Sequence, residues 1–200
     1  MSGNGLKSEL IEKETLYQGF FKLERFHLKY EKFEGGWSEV IQREIFERGN
    51  AAAALLLDPE QELLVMVEQF RPGAMSTEKS PWLIEPIAGM IEKGESPKNL
   101  IEREAEEEAG CQIKRMRKIC EYLVSPGGST ERIWLFLAEV DARQASDYAG
   151  LEHEHEDIKV HQIPVKKAFQ MLENGEFTNA MTLISLQWLK LNWSQNDLFE

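Results

Sequence analysis

Cysteine is scarce in this chain: Cys111 and Cys120 are the only two in 200 residues. Two thiols cannot build a disulfide framework, and these match no zinc-ligand spacing, so buried free thiols in a reducing compartment are expected. Long apolar runs are lacking as well. The longest, Ala51 to Leu57, falls far short of the roughly 20 residues a membrane-spanning helix needs. Glu9, Glu12 and Glu14 occupy the N-terminal stretch without an apolar segment, so no signal peptide is expected there. Positive charge is in deficit: 23 Lys and Arg face 35 Asp and Glu, for a net charge of -12. That balance excludes a general affinity for nucleic acid or an anionic membrane, both of which need a basic face, and leaves cation binding open. No internal repeat or low-complexity linker is visible. Together these absences imply a cytoplasmic location.

What is present is a globular mix, 42% hydrophobic and 29% charged, in a chain long enough for one sizeable domain with a small extension. Alternating, aromatic-rich residues from Thr15 to Glu47, punctuated at Gly35-Gly36, predict two or three strands. Asn50 to Leu57 and Glu62 to Phe70 flank the turn-prone Asp58-Pro59-Glu60-Gln61 and predict a hairpin, with Ala51 to Leu57 buried on both faces. Trp82 to Ile87, Ile119 to Val124, Arg132 to Val140 and Ile158 to Ile163 read as further strands. The clearest helix starts at Ser96, an N-cap hydroxyl followed by Pro97, and stops at Gly110. Two more helices, about Val165 to Asn174 and Asn179 to Trp193, carry apolar residues at core spacing. Strands first and helices late predict an α+β fold, divided as a β-rich segment 1–48 and a larger domain 49–200.

The helix after Ser96 is unusually acidic. Five of the seven residues from Glu102 to Glu108 are glutamate, in the half of the helix where the macrodipole already disfavours anions. Glu104 and Glu108 share one face, as do Glu102 and Glu106, and each like-charged pair costs roughly 0.2–0.5 kcal/mol. A solvated acidic face is the ordinary reading of such a run. The alternative is a divalent-cation site: Mg²⁺ takes oxygen ligands and is usually held by one or two carboxylates plus substrate phosphates, and Glu104 and Glu108 would present such a pair.

Reading outward from those glutamates gives Gly89, five residues, Glu95, seven residues, and then Arg103-Glu104-Ala105-Glu106-Glu107-Glu108-Ala109-Gly110-Cys111. This segment, 89–111, resembles the complete Nudix box; a chance match in a chain this long has a probability on the order of one in a million at ordinary residue frequencies. Ala105 and Cys111 are smaller than the aliphatics common at their positions. The resemblance implies a loop–helix–loop set in an α/β/α sandwich around a mixed sheet. Gly89 and Gly94 are expected to permit an unusual backbone in the first loop, and Arg103 to orient Glu95 or Glu107 by bidentate bonds.

A second likeness is more specific. Pro126, in Ser125-Pro126-Gly127-Gly128-Ser129, falls 16 residues after Gly110. Together with Arg43 to Gly49, Glu68-Gln69-Phe70-Arg71, Ala88-Gly89-Met90 and Glu154-His155-Glu156-Asp157, this resembles the bacterial ADP-ribose pyrophosphatase branch of the family. The resemblance implies Mg²⁺, or Mn²⁺ in its place, held by the Ala88 carbonyl and by Glu104, Glu108 and Glu156. It implies that Glu154 activates the water, with Glu95, Arg103 and Glu107 in the catalytic set. Arg71 and Arg43 become candidates for the phosphates or the terminal ribose. Phe20, Phe21, Arg43, Glu44 and Arg48 would come from a neighbouring subunit with the adenine near Phe20, and Met90, Ser125, Pro126, Gly127 and Glu131 would line the ribose side. A homodimer with exchanged N-terminal strands follows, which suits the aromatics Phe20, Phe21, Phe26, Phe33 and Trp37 in so short a segment. Taken alone, Phe20 reads as a core residue.

Other readings compete. Histidine alternating with carboxylate from Glu152 to Asp157 invites zinc, but alternation spreads the histidines apart and no third soft ligand is evident. NADH, a diadenosine polyphosphate or an ADP-hexose would need the same chemistry as ADP-ribose. A non-catalytic ADP-ribose sensor would be expected to have lost box glutamates, yet Glu95, Glu104, Glu107 and Glu108 are all present. No helix-loop-helix calcium pattern occurs.

Overall fold

The computed structural model describes residues 5–77, 80–151 and 155–200. The chain divides into two compact units, one of residues 1–50 with 123–132 and one of 51–122 with 133–200.

The first unit is built on a three-stranded antiparallel sheet of β1 (Ser8–Gln18), β2 (Lys22–Tyr30) and β3 (Ile41–Glu47). Strand β1 begins well before Thr15. Its residues are nearly all exposed, so its strand character comes from pairing with β2 rather than from an apolar pattern, and register shifts after Leu10 and Thr15 blur the alternation further. The loop 123–132 joins this unit through Phe46, whose N–H donates to the Gly128 carbonyl.

The second unit holds a mixed sheet. Its strands are β4 (Ala51–Asp58), β5 (Leu63–Phe70), β6 (Trp82–Glu85), β7 (Ile87–Met90), β8 (Arg115–Leu123), β9 (Arg132–Glu139), β10 (Tyr148–Ala149) and β11 (Ile158–Pro164). They run in the order β10-β11-β5-β4-β9-β8, with β6 on β5 and β7 on β4. Strand β4 is central and parallel to β9. Its even residues Ala52, Ala54 and Leu56 pack with Leu100, Ile101, Ala105 and Ala109 of helix α1 (Pro97–Ala109). Its odd residues Leu55 and Leu57 pack with Val165 and Ala168 of α2 (Val165–Glu173) and Leu186 and Leu189 of α3 (Ala180–Asn192). The run from Ala52 to Asp58 is therefore buried throughout, because helices cover both faces of the strand.

Three expected elements differ. The hairpin after Asn50 pairs only at Leu56–Asp58 with Leu63–Val65; beyond it β4 pairs with β7 and β5 with β6. The single strand expected from Trp82 to Ile87 is two, because Pro86 has no N–H to give the ladder. Strand β8 begins at Arg115, earlier than the apolar run from Ile119 suggests. No helix among the described residues is long and apolar enough to cross a membrane.

Candidate active site

Helix α1 is fixed at both ends by its own sequence. Ser96 accepts a hydrogen bond from the Asn99 N–H, Pro97 occupies the first turn, and Gly110 ends the helix in the left-handed region at φ 70°. This register separates the two acidic pairs. Glu102 and Glu106 are exposed, whereas Glu104 and Glu108 point inward and are buried, Glu108 to 2%.

Glu108 accepts a hydrogen bond from the Ala88 N–H at 3.0 Å and one from the Gln69 amide at 3.4 Å. Burial pushes its carboxyl up to about 8, against the Ala88 bond, and the charges of Glu104 and Glu156 push the same way while Arg71 opposes them. Burial likewise pushes Glu104 up to about 7, opposed by Arg103 and reinforced by Glu107 and Glu156. Two buried carboxyls on one helix face are thus held as reluctant anions.

Arg103 serves three carboxylates: its Nη1 lies 2.6 Å from Glu107 and 3.0 Å from Glu104, and its Nε lies 3.3 Å from Glu95. Glu95 in turn accepts from the N–H of Glu92. Burial alone would loosen the guanidinium's proton, but the bonds to Glu107 and Glu95 hold it firmly charged.

The role expected of Gly89 needs correction. It lies within strand β7 and is not among the glycines with positive φ, whereas Gly94 is, at φ 89°. What Gly89 supplies is space: a Cβ there would stand 2.0 Å from Oε1 of Glu104. The inner carboxylate therefore packs directly against the backbone of the strand that carries the Ala88 carbonyl.

This donor set suits a hard divalent ion: a backbone strand edge and two buried carboxylates, with the charge of Glu156 close enough to act on both. Among the described residues no group of three or more His, Cys, Asp or Glu is placed to hold a metal ion, so Glu104 and Glu108 share the helix face but are not gathered with Glu156 into a ligand set. Glu156 is half-buried and accepts from the Leu151 N–H at 3.4 Å. Glu154, expected to activate water, lies outside the described residues, as do Glu152 and His153 of the alternating histidine segment.

Arg71 is not a free surface side chain. Its Nε donates to Glu85 at 2.7 Å, and Glu85 is fully buried. Met90, also in this unit, is partly exposed on β7. Neither Glu85 nor Gln69 was expected as a site residue. Gln69 did fall within the segment that drew attention, but the bond from its amide to Glu108 spans 39 residues and leaves no local pattern.

The remaining expected residues gather in the other unit. Phe20 is 87% exposed, so it is not a core residue. It meets Phe21 edge-on at 4.7 Å, Phe21 meets Phe46 at 5.3 Å, and the Arg48 guanidinium lies over the Phe21 ring at 5.3 Å. Phe20, Phe21 and Arg48 border an open cavity of about 310 Å³. Arg48 also pairs with the buried Glu131 at 3.4 Å; burial raises the Glu131 carboxyl and Arg48 opposes the rise. Arg43 and Glu44 are exposed on β3, where Arg43 donates to the Gln42 carbonyl and Glu44 stands 3.7 Å from Arg25. Ser125, Pro126 and Gly127 form an exposed turn closed by the N–H groups of Gly128 and Ser129 on the Ser125 carbonyl.

Several known proteins are similar to this chain over most of its length. An ADP-ribose pyrophosphatase of Escherichia coli (strain K12) is 46% identical over 184 residues, 92% of this chain and 88% of that protein. An ADP-ribose pyrophosphatase of Haemophilus influenzae is 45% identical over 190 residues, 94% and 88% of the two. A GDP-mannose pyrophosphatase of Enterobacter sp. (strain 638) is 35% identical over 191 residues, 94% and 97%. The NUDIX domain family model matches residues 47–182, which include α1, its flanking loops and the whole second sheet through the first turn of α3, and the chain belongs to that family.

Proposed function

We propose that this chain hydrolyses the pyrophosphate bond of ADP-ribose to AMP and ribose 5-phosphate. The observation that carries the reading is the buried pair Glu104 and Glu108, two carboxyls pushed up to about 7 and 8 on one helix face beside the Ala88 strand. A bound cation would stabilise such a pair in its charged form. The names of the Escherichia coli and Haemophilus influenzae relatives support the substrate.

The Ala88 carbonyl, Glu104, Glu108 and Glu156 would hold Mg²⁺, or Mn²⁺ in its place. A bound ion of this kind supplies charge neutralisation to the diphosphate. Arg103 keeps Glu95, Glu104 and Glu107 oriented. Glu154 takes the proton of the water that attacks phosphorus, since a carboxylate already committed to a metal is a poor proton acceptor. Arg71 presents its guanidinium to a phosphate oxygen, which planar donors match well. Phe20, Phe21, Arg43, Glu44 and Arg48 come from a neighbouring subunit, with the adenine near Phe20 and Arg43 turned to the phosphates or the terminal ribose. Met90, Ser125, Pro126, Gly127 and Glu131 line the terminal ribose. This arrangement makes 1–48 a dimerisation segment exchanged between two copies, and 49–200 the hydrolase domain.

The test is hydrolysis of ADP-ribose with Mg²⁺ by the wild type, Glu108→Gln and Glu154→Gln. Each variant is expected to lose at least about 100-fold in kcat, with metal affinity weakened mainly by the first. The Enterobacter relative makes GDP-mannose the rival to weigh, so a panel adds it to NADH, a diadenosine polyphosphate and an ADP-hexose. A tenfold advantage in kcat/KM for any of these over ADP-ribose overturns the substrate assignment. No turnover of any of them would point to a sensor.

A further inference from the structure

Arg71 is anchored by a carboxylate that has no part in the reading above. Glu85, the last residue of edge strand β6, is fully buried and sits opposite Val67 of β5. Both of its oxygens are engaged. Oε2 accepts from Arg71 Nε at 2.7 Å, and Oε1 accepts from the side-chain amide of Asn179. A buried carboxylate with a charged partner on one side and an amide on the other cannot swing away without leaving a group unpaired.

Asn179 is fixed in its turn. Its Oδ1 caps α3 by accepting from the N–H groups of Met181 at 2.9 Å and Thr182 at 3.4 Å. The first turn of α3 is tied to strand β6 a second time, where the Thr182 hydroxyl donates to the Ile84 carbonyl at 3.5 Å. A relay therefore runs from the start of α3 through Asn179 and Glu85 to Arg71. At its far end the guanidinium is close enough for its charge to act on Glu108. Among the described residues no hydrogen bond engages the two terminal nitrogens of Arg71, so turning Nε toward Glu85 leaves that pair of donors for an anion.

We propose that Glu85 is a positioning residue that holds Arg71 with its terminal nitrogens aimed at a diphosphate oxygen of the substrate, and that Asn179 sets the position of Glu85. The inference rests on the nucleoside-diphosphate reading of the acidic site and adds to it two residues outside segment 89–111. Asn179 and Glu85 touch no substrate; they act through the guanidinium. Because Arg71 meets a phosphate present throughout the reaction, its loss is expressed mainly in KM.

The experiment is a double-mutant cycle on the full chain with ADP-ribose and Mg²⁺, each variant also followed by its thermal midpoint. Glu85→Gln keeps the side chain's size and its bond with Asn179 but removes the charge that orients Arg71. It is expected to raise KM about tenfold with kcat within about threefold, and Arg71→Ala to do the same. The double variant is expected to be no worse than the weaker single within about twofold, because one interaction is lost only once. Asn179→Ser, which still caps α3, is expected to raise KM about threefold, and it serves should Glu85→Gln fail to fold. An unchanged KM in Glu85→Gln and Asn179→Ser, or losses that multiply in the double variant, overturns the proposal; a purely structural role would multiply and would follow the thermal midpoint. The activity reading is judged separately on the wild type. If the wild type cleaves another nucleoside diphosphate instead, the cycle is read on that substrate, and absence of all turnover refutes both.

Discussion

Glu108 faces two opposed demands, since burial favours its neutral form and a metal ion would need it charged. With a folded pKa of about 8 against an ordinary 4.5, it keeps its proton in the fold over a range where the unfolded chain has released it. Glu104, at about 7, does the same. The native state then binds more protons than the unfolded one between about pH 4.5 and 8, so stability falls as pH rises through that window and levels off above it. Asp58 and Asp141, whose carboxyls are lowered by hydrogen bonds against the pull of burial, contribute stability that is complete above about pH 5 and is lost as pH falls below it, so they do not disturb the upper range. In EDTA the thermal midpoint of the wild type is expected to drop by at least about 4 °C from pH 6 to 8, equivalent to roughly 1 kcal/mol in a chain of this size. Glu108→Gln should flatten the slope, and millimolar Mg²⁺ should restore more at pH 8 than at pH 6. A wild-type profile that stays level from pH 6 to 8 would sink the account of the pair. Gly89 offers a second test. Its backbone tolerates a side chain, but the new Cβ would displace the Glu104 carboxylate, so Gly89→Ala is expected to weaken Mn²⁺ binding at least about tenfold by titration. Equal affinity in wild type and variant would show that Glu104 is not needed for the ion.

Helix α1 is the element whose limits are written most plainly in the chain. Its N-cap bond is exposed and local, from Ser96 to Asn99, so Ser96→Ala is expected to cost about 1 kcal/mol in urea unfolding with the slope unchanged. A loss below about 0.3 kcal/mol would mean that packing alone defines the start of the helix. Local rules of this kind made α1, α2 and α3 legible within a residue or so, along with the two-sided burial of β4. They failed where neighbours in space decide. Strand β1 exists by pairing with β2, and the hairpin after Asn50 is cut short because β7 takes Ala51 to Ala54 on the edge of β4 that β5 would otherwise fill. The site divides the same way. Glu95, Arg103, Glu104, Glu107 and Glu108 lie within one loop and helix, where spacing alone displays them. Glu85 and Asn179 are 94 residues apart, and nothing in a periodic pattern links an edge-strand carboxylate to the cap of a distant helix.

At the scale of the whole molecule, the expected substrate residues fall into two groups on two units. The acidic group with Arg71 belongs to the second unit, while the Phe20, Phe21, Arg48 and Glu131 group belongs to the first. The first unit also leaves Phe33 91%, Phe20 87% and Trp37 41% exposed, more aromatic surface than a small sheet normally shows to water. The proposed homodimer would account for both facts if each first unit served its neighbour's acidic group. Light scattering is then expected to give twice the 23.1 kDa chain mass. Complementation tests the sharing itself. Glu108→Gln disables one group and Arg48→Ala combined with Phe20→Ala disables the other, so each protein alone should be nearly inactive. After subunit exchange at equal amounts, half the dimers are mixed, and each mixed dimer pairs one intact site with one doubly impaired site. Activity should recover to about a quarter of wild type, the fraction of sites expected from a shared, isologous arrangement. If the mixture stays inactive although exchange is verified by mass, the sharing of sites between chains is refuted.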